Sequence, residues 1–585
     1  MEKFVARLRA RFLAAVLALT LVASAVSVGV GAPAAYASSS PQLPSRDAFY
    51  RYSGPLASIA PGTVLRSRTV TIPWGGLDTP VTATQLLYRT TTELGAPTVT
   101  VTTVLRPDLV LPVGILPVKI VSWQMFYDAL GPQCDPSYTL RGGNSSYGDA
   151  QEEEALMTPY LAAGDVLVVS DYEGENLAWG AGQQSGYETL DGIRAAEHWL
   201  QVPATTTPVA MIGYSGGSIA TQWAAEMAPA YAPHLDIVGA AAGGVPVDYA
   251  HNLTYINGSA DWSGVIPAIL LGVSRAFGVD LGQYLSAYGR KVVSQVSGGC
   301  INTFVGNYPG LTIQKLLAPK YQDFLKVPVF ASILNELTMG SDGTPRVPLL
   351  FANGNADGTG DGVMVAADVE GLAHLYCTRG LSVRFDEYKG LDHDEAAVPF
   401  EVTAFPVISG WLAGADAPSG CGAIGTGNAL TPLGAGTAPP AAPPSAASSA
   451  TVTSVEPSGA ASVVDGAASV TLHGAGAATL AVFRAYHDPV GWPTFDATGH
   501  YLDVGVAPRS ELTSLVLSDC HVGRGNAMEW WDPAAHQGAG AWQPVRSAGA
   551  KHVGGAGCSS VTLSRSSSPT LSQLTGTVFA IAHDT

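Results

Sequence analysis

The chain has 585 residues, of which 47% are hydrophobic and 13% are charged, and its formal net charge is −18 at pH 7. A chain of this length is expected to form two or three domains, and its apolar content is ample for a large core. The acidic balance argues against nucleic acid as a partner, because no basic patch is present to neutralise phosphates.

The amino terminus is typical of a secretory signal. Four basic residues among the first eleven precede an apolar run over residues 12–30, and an Ala-Tyr-Ala sequence ends at Ala37. We expect cleavage after Ala37, so that 1–37 is a signal peptide and the mature protein is secreted to the extracellular space. The alternative is an uncleaved anchor, because the apolar run is long; no later segment is apolar enough to predict a membrane span.

From residue 38 to 414, short apolar runs alternate with helical patterns. Residues 117–121 and 165–171 predict buried strands, and residues 189–199 predict an amphipathic helix. Further strands are predicted over 347–352 and 381–388. This alternation is typical of a mostly parallel sheet with helices packed on it.

The most informative motif occupies residues 213–217, with the sequence Gly-Tyr-Ser-Gly-Gly. It follows an apolar run over 209–212 and precedes a helical pattern over 218–227. A strand, a glycine-flanked serine and a helix in this order are the nucleophile elbow of the α/β-hydrolase fold. The elbow predicts Ser215 as a nucleophile and the amide of Gly216 as a donor to an oxyanion.

Between about residues 248 and 345 the alternation of predicted strands and helices is interrupted, and a helix-rich stretch begins near Trp262. In this fold, an insertion after the elbow commonly forms a cap over the active site, and an apolar cap would bind acyl chains. The alternative is that these helices extend the core.

A serine nucleophile requires a histidine base and an orienting carboxylate, which follow it in the chain in the order acid, then histidine. His393 comes just after the last predicted strand and is the predicted base. The loop over 353–363 offers two candidate acids, Asp357 and Asp361, and spacing alone does not separate them. A second oxyanion donor is expected on the loop over 122–128, where Asp128 is the candidate and an ordinary loop residue is the alternative.

Residues 415–449 are rich in Ala, Pro, Gly and Ser and predict a linker. Beyond them, residues 450–585 show short β-like runs separated by turn residues, which predicts a β-sandwich accessory domain. Its tryptophans Trp530, Trp531 and Trp542 would form either buried core or exposed platforms that contact a surface or polymer.

The region over 38–414 resembles the secretory lipases, a family whose relatives include the capped yeast lipase of the A type. The resemblance lies in the following segments: 88–91, 99–107, 121–128, 134–138, 171–174, 186–195 and 213–218. It implies that Asp361, rather than Asp357, is the acid, although the proline usual after the valine in this family motif is absent. It also implies oxyanion amides at Asp128 and Gly216 and a helical lid, and it has no counterpart for the carboxyl-terminal domain.

Six cysteines are present, at positions 134, 300, 377, 421, 520 and 558. An even number in an exported chain indicates disulfides. Domain membership and the family resemblance imply the pairs Cys134–Cys300, Cys377–Cys421 and Cys520–Cys558. No C-x-x-C spacing occurs, so the cysteines predict neither a metal site nor redox chemistry, and the predicted triad implies no metal or cofactor.

Together these features lead to the hypothesis of a secreted carboxylic-ester hydrolase acting on lipid esters through an acyl-enzyme on Ser215. Two alternatives belong to other classes. One is a non-catalytic surface-binding protein with a relic hydrolase domain, and the other is an acyltransferase or serine peptidase with the same triad.

Overall fold

A computed structural model of the chain describes residues 41–73, 81–108, 117–144, 149–417 and 419–433. In the carboxyl-terminal part it describes 451–455, 460–465, 468–484, 495, 497–506, 510–520, 527–532, 535, 541–546 and 558–582. The predicted signal peptide over 1–37 and the second half of the predicted linker, 434–449, lie outside the described residues.

The first part of the chain builds a nine-stranded mixed sheet. Its strands are β1 (Val64–Val70), β2 (Val81–Thr91), β3 (Pro97–Pro107), β4 (Ile120–Gln124), β5 (Val166–Ser170), β6 (Val209–Tyr214), β7 (Ile237–Gly243), β8 (Leu349–Asn355) and β9 (Val383–Lys389). Their order across the sheet is β1-β2-β3-β5-β4-β6-β7-β8-β9. Neighbours from β5 to β9 run parallel, and β1, β2, β3 and β5 pair antiparallel. This is the predicted α/β-hydrolase sheet.

Helices cover both faces of this sheet, as its strand sequences require. In β6, Val209 and Met211 join the apolar core on one face, whereas Ala210 and Ile212 join the core on the other. A strand that is apolar at every position is stable only when both faces are covered. The sheet is therefore the middle of three layers.

The helices of this part are α1 (Pro136–Thr139), α2 (Asp149–Ala163), α3 (Gly182–Leu200), α4 (Gly216–Tyr231), α5 (Tyr249–Tyr255), α6 (Val265–Ala276), α7 (Ala287–Val296), α8 (Ile313–Leu316), α9 (Pro328–Glu336), α10 (Ala366–Thr378) and α11 (His393–Leu412). Short 3₁₀ turns lie at Ala48–Tyr50, Pro132–Cys134, Leu281–Gln283, Ile301–Thr303, Pro319–Tyr321 and Phe324–Lys326. Within the described ranges, no helix has the length and apolar character needed to cross a membrane.

The stretch between β7 and β8, which we call the insertion, is fully described and contains helices α5 to α9. Several contacts join it to the loop after β4. Residues Ala129 and Cys300 form an isolated antiparallel bridge, and the disulfide Cys134–Cys300 lies beside it. The insertion is thus packed against the edge of the sheet where β4 ends.

In the described residues of the carboxyl-terminal part, the strands pair antiparallel. Its strands are β10 (Thr451–Val455), β11 (Ala460–Asp465), β12 (Ala468–Arg484), β13 (Ala497–Val506), β14 (Glu511–Asp519), β15 (Ala527–Asp532), β16 (Ala541–Pro544), β17 (Ser559–Ser564) and β18 (Thr575–Ala582), with a 3₁₀ turn at Leu571–Gln573. The long strand β12 pairs with β11 and β14 along its first half and with β10 and β13 along its second half. It therefore belongs to two sheets, which share an apolar core.

Several predicted elements begin or end elsewhere in the structure. The strand predicted over 117–121 is β4 at Ile120–Gln124, and the helix predicted over 189–199 is the longer α3. The largest difference is α11, because His393 was predicted on a loop and is the first residue of a twenty-residue helix. Two prolines inside α11, Pro399 and Pro406, explain why its pattern does not resemble a helix.

Candidate active site

The elbow predicted at residues 213–217 is the turn between β6 and α4. Ser215 has φ 52° and ψ −123°, a strained conformation for a residue with a side chain. The amide of Ser215 donates to the carbonyl of Gly243, which continues the ladder between β6 and β7. The turn therefore holds the serine at the carboxyl edge of the sheet, as this motif requires.

The two glycines that flank the turn are required by close packing. A methyl group added at Gly213 would lie 2.3 Å from the carbonyl oxygen of Gly217. One added at Gly217 would lie 2.0 Å from the carbonyl oxygen of Gln124 at the end of β4. Any side chain at either position would push α4 away from the sheet and displace Ser215.

Three side chains form a continuous chain of hydrogen bonds at this edge. The Nε2 atom of His393 lies 2.7 Å from Oγ of Ser215, and its Nδ1 atom lies 2.7 Å from Oδ2 of Asp361. His393 and Asp361 are buried, whereas Ser215 is half-buried. When Nδ1 carries the proton that faces the carboxylate, Nε2 is free to accept the proton of the serine hydroxyl.

Backbone and ring contacts fix the position of His393. Its amide donates to the carbonyl of Asp361 at 2.9 Å, and the hydroxyl of Tyr214 donates to its carbonyl at 2.6 Å. The ring of Trp262 packs edge-on against the imidazole, with 5.2 Å between the ring centroids. Trp262 comes from the insertion, so a residue that the sequence analysis noted only as the start of that segment contacts the histidine.

The charge of His393 is set by opposing effects. Burial lowers the pKa of the imidazole, but the charge of Asp361 and the hydrogen bond to its carboxylate outweigh burial, so the pKa is raised above its ordinary value. The charges of Asp394 and Asp128 act in the same direction as Asp361. The first turn of a helix disfavours a cation, and these carboxylates offset that effect.

The two candidate acids have different surroundings. Asp361 directs Oδ2 at His393, while its Oδ1 accepts from the amides of Val363 at 3.0 Å and Met364 at 2.7 Å. Asp357 instead closes a turn, because its Oδ1 accepts from the backbone amides of the second and third residues after it. The structure therefore brings Asp361 to the imidazole and leaves Asp357 in the turn.

Asp128 lies directly against the residue that follows the serine. A methyl group added at Gly216 would lie 1.6 Å from Oδ1 of Asp128, and Asp128 has φ 38°, a conformation that concentrates at functional sites. Among the described residues, the amides of Asp128 and Gly216 have no acceptor; Gly216 is the first residue of α4, where such amides are unpaired. The role of these two amides as oxyanion donors stays a prediction.

The carboxyl group of Asp128 is itself buried. Burial raises the pKa of Asp128 to about 7, against the opposing effects of the positive charge of His393 and the indole of Trp179. Its Oδ1 has no hydrogen-bond partner in the described part of the chain. Burial favours the neutral acid, whereas a protonated His393 favours the carboxylate.

Two buried glutamates hold the loop that carries Asp128, and the sequence analysis missed both. Glu173 accepts the amide of Ala129 at 3.0 Å, and Glu153 accepts the amide of Phe126 at 3.0 Å and the indole of Trp123 at 2.9 Å. Glu173 belongs to segment 171–174 of the family resemblance, and this is the feature of the sequence that could have identified it. No pattern in the sequence marks Glu153.

The remaining predicted residues lie away from this edge. The six cysteines form the pairs Cys134–Cys300, Cys377–Cys421 and Cys520–Cys558, the pairs predicted from domain membership and the family resemblance. Trp530 and Trp542 are buried and Trp531 is half-buried; contact of this region with a surface or polymer stays a prediction. In the described ranges, no group of three or more His, Cys, Asp or Glu side chains is placed to hold a metal ion.

Comparison with known proteins gives the same picture of this part of the chain. The sequence model of the family described as "Secretory lipase" matches residues 145–414. A probable inactive lipase of Mycobacterium tuberculosis (strain CDC 1551 / Oshkosh) is 34% identical over 377 residues, which are 64% of this chain and 82% of that protein. A secreted triacylglycerol lipase of Malassezia restricta is 30% identical over 365 residues, 60% of this chain and 76% of that one.

Among solved structures, that of Candida antarctica lipase A matches with a TM-score of 0.60 and 29% sequence identity, and the match covers 66% of this chain and 89% of that one. The family match ends at residue 414, so the carboxyl-terminal β-strands lie outside it. With an α/β-hydrolase sheet and relatives matched over most of their own length, the chain belongs to the secretory lipase family.

Proposed function

We propose that this protein is a secreted serine carboxylic-ester hydrolase that acts on lipid esters, with Ser215 as its nucleophile. The observation that supports this most strongly is the unbroken chain of hydrogen bonds from Ser215 through His393 to Asp361. The relative from Malassezia restricta is named a secreted triacylglycerol lipase, so triacylglycerols are the first substrates to test.

In the first half of the reaction, Oγ of Ser215 attacks the ester carbonyl carbon while Nε2 of His393 takes the hydroxyl proton. Asp361 stabilises the resulting imidazolium. The amides of Gly216 and Asp128 donate to the oxyanion of the tetrahedral intermediate. His393 then gives its proton to the alcohol oxygen, the carbon–oxygen bond breaks, and the acyl group remains on Ser215.

In the second half, water takes the place of the alcohol. His393 removes a proton from the water as its oxygen attacks the acyl carbon, and the same two amides stabilise the second oxyanion. Collapse of this intermediate returns the proton to Oγ of Ser215 and releases the carboxylic acid. Each step conserves protons, and the protein ends in its starting state.

Secretion is part of the proposal. The charge pattern and Ala-Tyr-Ala site before residue 38 are those of a signal peptide, and the described cysteines form three disulfides. Disulfides persist in oxidising compartments outside the cytosol. Release of the mature protein into the medium, with an amino terminus at residue 38, is the expected result.

One observation favours a second candidate, a protein with an inactive hydrolase domain. The relative from Mycobacterium tuberculosis is named a probable inactive lipase. The complete hydrogen-bond chain in this protein argues against that interpretation, because inactivity would remove the reason to keep a strained serine beside a buried histidine and aspartate.

The test is hydrolysis of p-nitrophenyl esters and triacylglycerols of several chain lengths by the full-length protein and by Ser215→Ala. We expect turnover by the wild type and a loss of about 10⁶-fold in kcat in the variant. A folded wild type that hydrolyses no ester would support the inactive interpretation. Faster reaction with peptides, or with an added acceptor alcohol, would instead identify a peptidase or an acyltransferase.

A further inference from the structure

Helix α5, the first helix of the insertion, lies against the loop that carries Asp361. The hydroxyl of Tyr255, the last residue of α5, lies between two parts of this loop. It donates to Oδ2 of Asp357 at 2.9 Å and accepts from the amide of Gly362 at 3.0 Å. Gly362 directly follows Asp361, so one buried hydroxyl bridges the turn before the acid and the residue after it.

Two more residues of α5 hold the same stretch of chain. Asn252 donates to the carbonyl of Val363 at 2.8 Å, and Nδ1 of His251 lies 2.8 Å from Oδ1 of Asp368 at the start of α10. These contacts follow that of Tyr255 along one stretch of the chain, from residue 357 to residue 368. Helix α5 therefore contacts the acid loop at three residues, Asp357, Gly362 and Val363, and also contacts the helix that follows it.

The contact of Tyr255 with Asp357 completes the hydrogen bonding of the turn. Oδ1 of Asp357 already accepts from the amides of Thr359 at 2.8 Å and Gly360 at 3.0 Å, so both of its oxygens have partners. Without the hydroxyl, the buried Oδ2 and the half-buried amide of Gly362 would both lose a partner, which is costly for the buried oxygen.

A catalytic carboxylate must be held within a fraction of an ångström, and loops do this poorly unless other groups support them. We propose that Tyr255 is a positioning residue for the reaction. It fixes the loop and so keeps Asp361 within hydrogen-bond distance of His393. The inference rests on the proposed function. It gives the insertion a role in the geometry of the triad in addition to any role as a cap, and it gives Asp357 a role other than that of the acid.

The test compares Tyr255→Phe with Tyr376→Phe in the full-length protein. Tyr376 is a matched control, because it is also buried and its hydroxyl accepts a hydrogen bond from Gln222 at 2.8 Å, whereas no hydrogen bond among the described residues joins that hydroxyl to the acid loop. We expect Tyr255→Phe to lower kcat by roughly 10- to 100-fold, as small misplacements of catalytic groups do, with little change in KM. Tyr376→Phe should lose thermal stability but keep kcat within about twofold.

The pH profile separates positioning from stability. The rate depends on neutral His393, so kcat/KM of the wild type should fall below a pKa that lies above the ordinary value of about 6.5. Asp361, Asp394 and Asp128 all raise this pKa. In Tyr255→Phe, the fall of kcat/KM on the acidic side of the profile should shift to lower pH, because a displaced Asp361 stabilises the imidazolium less. In Tyr376→Phe, the pH profile should not shift.

The low-field NMR signal of the proton between His393 and Asp361 reports the same geometry without turnover. It should be present in the wild type and in Tyr376→Phe and be shifted or broadened in Tyr255→Phe. A wild type without esterase activity would contradict the proposed function, while the signal would still test the positioning role. The inference would be overturned if Tyr255→Phe left the NMR signal, kcat and the pH dependence of kcat/KM unchanged. If Tyr255→Phe does not fold, Asp357→Asn tests the same contact.

Discussion

The two β-rich regions of this protein bury different kinds of residues. The large mixed sheet and its helices enclose many polar and charged side chains, including Glu173, Glu188, Asp191 and Asp361. The core between the carboxyl-terminal strands consists almost entirely of aliphatic and aromatic residues, such as Leu472, Leu515, Leu517 and Phe579. The described carboxyl-terminal residues also bury a few polar side chains, Asp519, Ser559, Ser567 and Thr577, but far fewer than the first region does.

Some of the buried polar side chains of the first region support loops of the candidate site. Glu173 holds the loop of Asp128, and Asp357 with Tyr255 holds the loop of Asp361. Fixed hydrogen bonds in a site of low dielectric constant orient reacting groups without reorganisation during the reaction. Several buried polar groups of the first region thus hold loops that carry residues of the candidate site.

The first prediction contrasts the two aspartates of the acid loop. Asp361→Asn should lower kcat by about 10⁴-fold, because the amide no longer stabilises the imidazolium or fixes its tautomer. Asp357→Asn should cost roughly tenfold or less, since it weakens only the support of the loop. Steady-state kinetics on a soluble ester measures both; a larger loss in Asp357→Asn would reverse their assigned roles.

The second prediction concerns the carboxyl-terminal core and our proposal that it is a separate domain. Leu515 is fully buried, so Leu515→Ala should lower the stability of that region by about 2–5 kcal/mol. Activity on a soluble ester should be unchanged. Calorimetry of the full chain should show one transition shifted and another unmoved, with Thr513→Ala on the exposed face of the same strand as control. A loss of kcat would show that the regions are not independent.

The third prediction separates the regions by pH. Burial raises the pKa of Glu93 to about 8, of Asp171 to about 7 and of Glu401 to about 8. Groups whose pKa is raised by folding stabilise the protein below their ordinary values near 4 and lose that contribution as pH rises towards 7 or 8. The melting temperature of the first region should therefore fall, by roughly a few degrees, between pH 5 and 8.

In the described carboxyl-terminal strands, Glu529 is the carboxyl group whose pKa burial raises, so the transition of that region should move less over the same range. Calorimetry at several pH values, with the Leu515→Ala protein to identify the second transition, measures both. Equal shifts in the two transitions would contradict the contrast in polar burial.

Much of the site was predictable from short stretches of chain. The glycine-flanked serine was recognisable within five residues, and the contact at Gly213 is local, with Gly217, whereas the contact at Gly217 is with Gln124 on the distant strand β4. The order of strand, acid and histidine pointed to His393. Helix α11 was not predictable, because Pro399 and Pro406 disrupt its pattern and its stability comes from packing on the sheet.

The local sequence does not distinguish Asp357 from Asp361 as the acid. Both stand in similar Asp-Gly turns, and each could accept backbone amides of its own loop. Their remaining oxygens differ in partner, and those partners, Tyr255 and His393, lie 102 and 32 residues away in the chain. Glu173 and Ala129 are likewise 44 residues apart.

Steric limits and apolar periodicity act over a few residues, so the amino-acid order alone is enough to define the elbow, the strands and the two-part organisation that we expect. Hydrogen bonds between buried polar groups act over about 3 Å, and their partners meet only after strands and insertion have packed. The pairing of acids, hydroxyls and amides around Ser215 was therefore decided by the packing of distant segments, in which strand order brings β4, β6 and β8 to one edge.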